Sequence, residues 1–196
     1  MTERDHPQSR KKRPPRPLDQ QRLQELGLAY VARFATTAAK LETYLQRKLR
    51  ERGWNEDESE QPDTRAIADR FVELGYIDDA AYARSRSGGL LRRGYGPRRV
   101  AQALNAAGVD EQIRAEVQPG DHAIRQAALA MARKRRFGPF AFDTPDREKR
   151  EKQIAAMLRA GHGFDCVRAI MDAASGAAAE NWANEFAGGS EEEEFS

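Results

Sequence analysis

The sequence predicts an all-α chain of three tandem three-helix repeats that stack into an elongated, curved body with disordered ends. Three observations carry this. No segment alternates apolar and polar residues with the β-branched enrichment of a strand, whereas apolar residues recur at helical spacing throughout. Glycine followed by a large or branched apolar residue closes a helical stretch at Gly53-Trp54, Gly108-Val109 and Gly163-Phe164, 55 residues apart in both intervals. After each pair comes an aspartate suited to capping the next helix: Asp63, Asp110 and Asp165.

Taken in order, residues 1–17 hold six basic side chains against Glu3 and Asp5 with prolines between them, the composition of a disordered basic arm. Repeat one spans 18–75. Its first helix is expected over 20–34, its second over 37–52 with Leu41, Leu45 and Leu49 on one face, and its third over 63–74, where Ile67, Phe71, Val72 and Leu74 form the stripe. An acidic loop, NEDESEQP, separates the second and third helices, and Gly75 ends the repeat. Repeat two spans 76–119. Asp78 and Asp79 open its first helix (79–93), Val100 and Leu104 mark the second (97–107), and Asp110 starts the third (110–118). Repeat three spans 120–175, with helices over 121–136, 145–160 and 165–174, Gly163 closing the second and Asp165 capping the third. Residues 176–196 read as a flexible acidic tail ending in the run Glu191–Glu194. A three-helix unit of this size buries little by itself, so neighbours must stack.

Composition narrows the function. With 39% hydrophobic residues the chain can build a core, though not a generous one, and a net charge of +2 conceals a very uneven distribution of 33 basic and 31 acidic residues. The single cysteine, Cys166, permits no intramolecular disulfide and no cysteine cluster for zinc. The longest apolar runs, such as 127–132, are far too short to span a bilayer, and no apolar segment follows the basic amino terminus, so a cytoplasmic protein is expected.

No catalytic motif is present. No glycine precedes a lysine, which removes the phosphate-binding GK[ST] loop, and Gly94 and Gly96 lack the third glycine and preceding strand of a dinucleotide site. His6, His122 and His162 have neither metal-ligand spacing nor partner cysteines, and His162 reads as a surface residue of a helix-ending loop. Cys166 stands near a helix start that could lower its pKa, yet it fits better as a small apolar residue. The adjacent carboxylates Asp78 and Asp79 are accounted for by helix capping and dipole complementarity rather than by acid–base work. A binding protein without cofactor or metal, not an enzyme, is the expectation.

Arginine supplies the candidate site. Arg84, Arg86, Arg92, Arg93, Arg98 and Arg99 lie in one stretch with no acid among them, bordered by Tyr82 and interrupted by Tyr95. A second group, Arg133, Lys134, Arg135 and Arg136, ends at Phe137. Both groups close a first helix, where cations complement the helix dipole, but that accounts for only part of the charge. The remainder suits a polyanion or an acidic protein groove, which clustered arginine binds without demanding sequence.

The segments GYIDDAAYARS (75–85) and GYGPRRVAQALNAAGV (94–109) resemble the middle of the RecX family of recombinase regulators, with Leu104 and Gly108 filling the family's leucine-x-x-x-glycine ending. Weaker resemblance runs through 29–54 and 159–171, so about 150 residues are covered. The resemblance implies tandem three-helix repeats that bind the RecA recombinase filament, within its groove, and modulate it, most often by inhibiting ATP turnover and strand exchange in DNA repair. The basic residues named above and Tyr82 are the expected partner contacts, with single- or double-stranded DNA as a further direct partner, and a monomer is expected. The rival classes are a direct nucleic-acid binder using its helices as a helix-turn-helix reader, and a helical scaffold indifferent to both DNA and recombinase.

Overall fold

The computed structural model describes residues 16–58 and 60–185, and among these it is all-helical apart from one isolated bridge between Leu18 and Trp54. The basic run of the amino-terminal arm and the Glu191–Glu194 run lie outside the described residues.

The first unit consists of α1 (Gln20–Val31), α2 (Ala38–Arg52) and α3 (Thr64–Glu73). Each begins on an oxygen-bearing side chain that accepts from an amide three residues on: Asp19 from Arg22, Thr37 from Lys40 and Asp63 from Ala66. Leu23, Leu41, Leu45, Ile67 and Phe71 form its core. Leu18 joins them fully buried, because its backbone N–H donates to Gly53 O at 2.9 Å while its carbonyl accepts from Asn55 at 2.8 Å. The second unit is α4 (Asp79–Arg92), α5 (Pro97–Asn105) and the short α6 (Glu111–Glu116), with Ala83, Leu90, Val100, Leu104, Ala107 and Val109 as its core. Asp78 caps α4 through Ala81 N–H and Asp110 caps α6 through Gln112 N–H. The third unit holds α7 (Asp121–Arg135), a 3-10 turn at Gly138–Phe140, α8 (Arg147–Arg159), α9 (Phe164–Asp172) and α10 (Gly176–Asn184), packed around Leu129, Met157, Val167 and Ile170. Three cores in series, rather than one shared core, match the stacking that thin units require.

One joint is used twice. The start of each unit's second helix docks on the glycine turn that closes the second helix of the next unit. At the first joint Thr37 Oγ1 donates to Ala107 O at 2.6 Å, and a Cβ on Gly108 would stand 2.3 Å from Ala39 Cβ. At the second, Gly96 N–H donates to Ala160 O at 2.9 Å, Arg98 N–H donates to Gly161 O at 3.2 Å, and a Cβ on Gly161 would stand 2.5 Å from Arg99 N. Gly108 and Gly161 both take positive φ, 69° and 96°, so these positions require glycine for conformation and for approach. Gly53, which closes α2, also has positive φ, but a Cβ there would meet nothing within 4 Å.

This geometry corrects the expected third repeat. Gly163 does not close α8: it has φ −71° and is the N-cap of α9, and the left-handed turn is made by Gly161. Asp165 accordingly lies inside the first turn of α9 and is not its N-cap. The backbone bonds confirm the register, since Val109 N–H donates to Leu104 O and His162 N–H to Met157 O in the same way. The leucine-x-x-x-glycine ending is therefore matched by Met157 and Gly161, 53 residues after Gly108. The expectation of a tail from residue 176 is also corrected. Ser175 caps α10 by accepting from Ala178 N–H, and Ala179 and Ala183 are fully buried against α7. Alanine faces let two helices approach closely without the large apolar stripe by which a helix is ordinarily recognised.

Candidate partner-binding surface

The expected basic residues all lie on the surface, but the fold sorts them into groups that chain order does not foretell. Tyr82, on α4, faces the first joint. Lys40 bonds its hydroxyl and holds its ammonium 4.6 Å from the ring centroid, while Arg86 and Arg99 line the same recess of about 330 Å³. No acidic residue lines that recess. Lys40 and Arg99 occupy equivalent places, each three residues after the N-cap of a second helix, Thr37 and Gly96. Arg99 also donates to Gln102 Oε1 at 2.5 Å, which steadies it along α5.

On the other side of Tyr82 and Arg86 runs a larger groove of about 680 Å³, where Arg33 and Phe34 from the end of α1 meet Tyr76 and Arg93. Phe34 and Tyr76 are 52% and 54% exposed, large apolar surface that burial in a core would normally claim. Asp78 is the only acid lining it, and one of its oxygens already accepts from Ala81 N–H. At the second joint, Arg93, Lys134 and Arg135 line a small recess of about 140 Å³ with Tyr95 and Ala160, the Arg93 guanidinium 6.0 Å from the Tyr95 ring centroid. Arg93 thus borders both features.

The other expected contacts point elsewhere. Arg133 pairs with Glu180 of α10 and lies over the Phe140 ring, so its charge is spent on holding α10. Arg136 ends α7 in the left-handed conformation (φ 56°), which swings its guanidinium to 4.1 Å from the Phe142 centroid. Arg92 folds back against Gly88 on its own helix, Arg98 lines a separate cleft against α6, and Arg84 is exposed on α4. Sequence reasoning missed Arg33, Phe34, Lys40 and Tyr76, because they enter the surface only through the first joint. The signal that could have found Lys40 was its equivalence to Arg99, each three residues after the cap of a second helix.

Asp79, His162 and Cys166 are each partly or wholly withdrawn from solvent. Asp79 turns away from its own helix and accepts from Ala38 N–H at 3.0 Å, capping α2 across the joint; burial raises its pKa, opposed by that hydrogen bond, with the Asp78 charge adding to the rise. His162 is not a surface residue: it is fully buried where the joint closes over it, its Nε2 3.0 Å from Gly94 O, with Nδ1 unpaired. Burial lowers its pKa against the opposing effect of the Gly94 bond. Cys166 is half-buried, and burial raises its thiol pKa rather than the helix start lowering it; Arg125 opposes the rise, while Asp165 and Asp121 add to it. Among the described residues no three His, Cys, Asp or Glu side chains are grouped to hold a metal ion, and no helix is long and apolar enough to cross a membrane.

Comparison with known proteins bears on this arrangement. Residues 78–117 match the family model for the second three-helix domain of RecX. The regulatory protein RecX of Myxococcus xanthus (strain DK1622) is 30% identical over 166 residues, covering 81% of this chain and 88% of that protein. That of Neisseria gonorrhoeae (strain NCCP11945) is 32% identical over 142 residues, 70% of this chain and 82% of its own. In fold, the chain is similar to the crystal structure of RecX from Lactobacillus salivarius, with a TM-score of 0.59, 20% identity, and coverage of 77% of this chain and 93% of that one. A second crystal structure of regulatory protein RecX gives a TM-score of 0.61 at 22% identity over 78% of this chain and 73% of that one.

Proposed function

The chain belongs to the RecX family of regulatory proteins, and from that premise we propose that it binds the RecA recombinase filament and restrains its ATP turnover and strand exchange. The observation that carries the reading is the placement of two basic clusters at successive joints. Lys40, Arg86 and Arg99 gather about Tyr82 at one, and Arg93, Lys134 and Arg135 about Tyr95 at the next. A filament repeats its surface from protomer to protomer, so a ligand that holds two cationic patches at a set separation can bridge neighbours. Backbone-to-backbone docking at the second joint limits how far that separation varies. A bridge bound more tightly to one filament state than to another shifts the population toward that state, which is how a protein without chemistry of its own slows a cycling partner. Clustered arginines opposite acidic grooves or phosphates also speed encounter, at the cost of salt sensitivity.

The test is the ATPase of the recombinase on single-stranded DNA with this chain titrated in. Turnover should fall as the chain approaches a stoichiometric ratio, and the effect should weaken as salt rises. Unchanged turnover together with no binding to the filament would remove the proposal.

A second reading has its own observation. The exposed Phe34 and Tyr76 lie in one groove with Arg33, Arg86 and Arg93, the pairing of aromatic platforms with phosphate-binding cations that single-stranded nucleic acid uses. Under this reading the chain retards single-stranded DNA without any recombinase, and Phe34→Ala weakens the complex. Absence of a complex without recombinase removes it.

A further inference from the structure

A cleft on the face of α6 has features that the filament reading does not use. Between α5, α6 and the start of α7 lies a space of about 410 Å³ lined by Val100, Leu104, Val117 and Ile124 together with Arg98 and Arg114. Arg114 Nε is buried and has no hydrogen-bond partner among the described residues. A buried guanidinium N–H left unpaired costs free energy, and the group that best satisfies it is a carboxylate, which accepts two N–H donors of one arginine side by side. Glu111 also borders the cleft, so its edge carries two cations against one acid. Its helix needs support: α6 spans only Glu111–Glu116 and contributes no fully buried residue. The cleft therefore matches a short ligand that combines several carboxylates with one large apolar side chain.

The chain contains such a segment. Residues 186–196 read FAGGSEEEEFS, four glutamates followed at once by Phe195. The described chain leads up to it from the right place. α10 lies antiparallel on α7, with Arg125 Nη1 donating to Trp182 O at 2.8 Å and to Glu185 Oε2 at 2.9 Å, and Gln126 donating to Asn184 Oδ1 at 2.6 Å. Glu185 is thus held at the first turns of α7, beside Ile124 of the cleft. Phe195 follows ten residues later, beyond the glycine pair Gly188-Gly189. Ten residues extend to about 35 Å at most, so Phe195 is tethered within that radius of Glu185. A tether that matches its span gives an effective concentration in the millimolar range, enough to make weak docking count.

We propose that residues 191–195 are an internal ligand of this cleft, with the Phe195 ring on the apolar walls and the glutamates on Arg98 and Arg114. In the resting chain Arg98 is then covered and α6 is held against α5 and α7. An acidic or polyanionic partner that claims Arg98 must first displace the segment, so occupancy of the cleft sets a threshold on binding. The proposal holds whichever partner the basic clusters take.

The experiment uses the full chain with Cys166→Ala and Ser196→Cys, a nitroxide attached at residue 196, and paramagnetic broadening of amide and methyl resonances as the readout. Broadening should centre on Val100, Leu104, Val117 and Ile124, and should disappear in the variant carrying Glu191→Gln, Glu192→Gln, Glu193→Gln and Glu194→Gln and in the Arg98→Gln, Arg114→Gln variant. In the glutamine variant the α6 amides should exchange about tenfold faster, the ratio for a cleft occupied nine-tenths of the time. Broadening absent from these four residues, spread evenly over the basic surface, or undiminished in the glutamine variant would overturn the proposal. So would broadening that appears on an isotope-labelled chain mixed with a separate nitroxide-bearing chain, since the ligand would then come from a second copy.

Discussion

Replacing Gly96 with alanine tests the second joint at the point where side-chain chemistry contributes least. Gly96 has φ −82°, which any residue adopts, so the substitution adds no backbone strain. The new Cβ would stand 2.4 Å from Gly161 C and O and from His162 N, all backbone atoms that no rotamer change can move aside. Ordinary carbon contact needs about 3.5 Å or more, so the two units must separate by about 1 Å. The 2.9 Å bond from Gly96 N–H to Ala160 O and the 3.2 Å bond from Arg98 N–H to Gly161 O both lie across that gap. Two lost hydrogen bonds at about 1 kcal/mol each, together with about 1–3 kcal/mol of overpacking, give an expected loss of about 3–5 kcal/mol. Gly89→Ala is the control: Gly89 is in the interior of α4 with nothing within 4 Å of its Cβ position, and there alanine should stabilise by about 0.5–1 kcal/mol. Urea unfolding of both variants supplies the magnitudes, and hydrogen exchange at the Gly96 and Arg98 amides shows whether the joint opens. A Gly96→Ala chain within 0.5 kcal/mol of the parent, with both amides still protected, would refute the close docking on which this reasoning rests.

Three other perturbations separate binding from folding. Reversing Arg93, Lys134 and Arg135 to glutamate should abolish restraint of the recombinase ATPase while the circular dichroism spectrum and melting curve stay near the parent's, since exposed charges at helix ends contribute about 1 kcal/mol or less each; a folded variant that still restrains the filament would show the cluster is only dipole complement. Leu45→Ala and Leu104→Ala should do the opposite, each costing about 2–5 kcal/mol in chemical unfolding because both side chains are at most 2% exposed; a loss below 1 kcal/mol would contradict their burial. His162 carries a pH signature. Its folded pKa is lowered, so the unfolded chain takes up the proton first as pH falls from about 7 through the ordinary value of 6.5, and stability present above that value is lost by up to about 1.4 kcal/mol per pH unit. His162→Gln should flatten that part of the stability profile measured by urea unfolding; a profile as steep as the parent's would assign the proton to another group.

The sequence alone determined what depends on neighbours a few residues away. Helical periodicity placed nine of the helices to within a few residues, because which face of a helix is apolar is written in its own spacing. Asp63, Asp78 and Asp110 were legible as caps because a capping oxygen reaches an amide two or three residues ahead. The resemblance to RecX was carried chiefly by two segments of the second unit, 75–85 and 94–109, where the family match also falls.

Tertiary structure decided whatever depends on what packs across a joint. Gly161 and Gly163 are locally equivalent candidates for a helix stop, and the choice between them follows from the approach of Arg99 N, which leaves no room for a Cβ on Gly161. His162 is buried because the same joint closes over it, and Asp79 caps a helix 41 residues earlier rather than its own. α10 was invisible because alanine carries no amphipathic signal until a second alanine face lies against it. The basic surface divided likewise. Consecutive residues on a helix point about 100° apart and a left-handed cap turns the chain further, so Arg133 and Arg136 leave Lys134 and Arg135, while Lys40 and Arg99, 59 positions apart, meet in one recess. Charge along a chain records how many cations a surface can have; only the packing of the helices that carry them determines which cations share it.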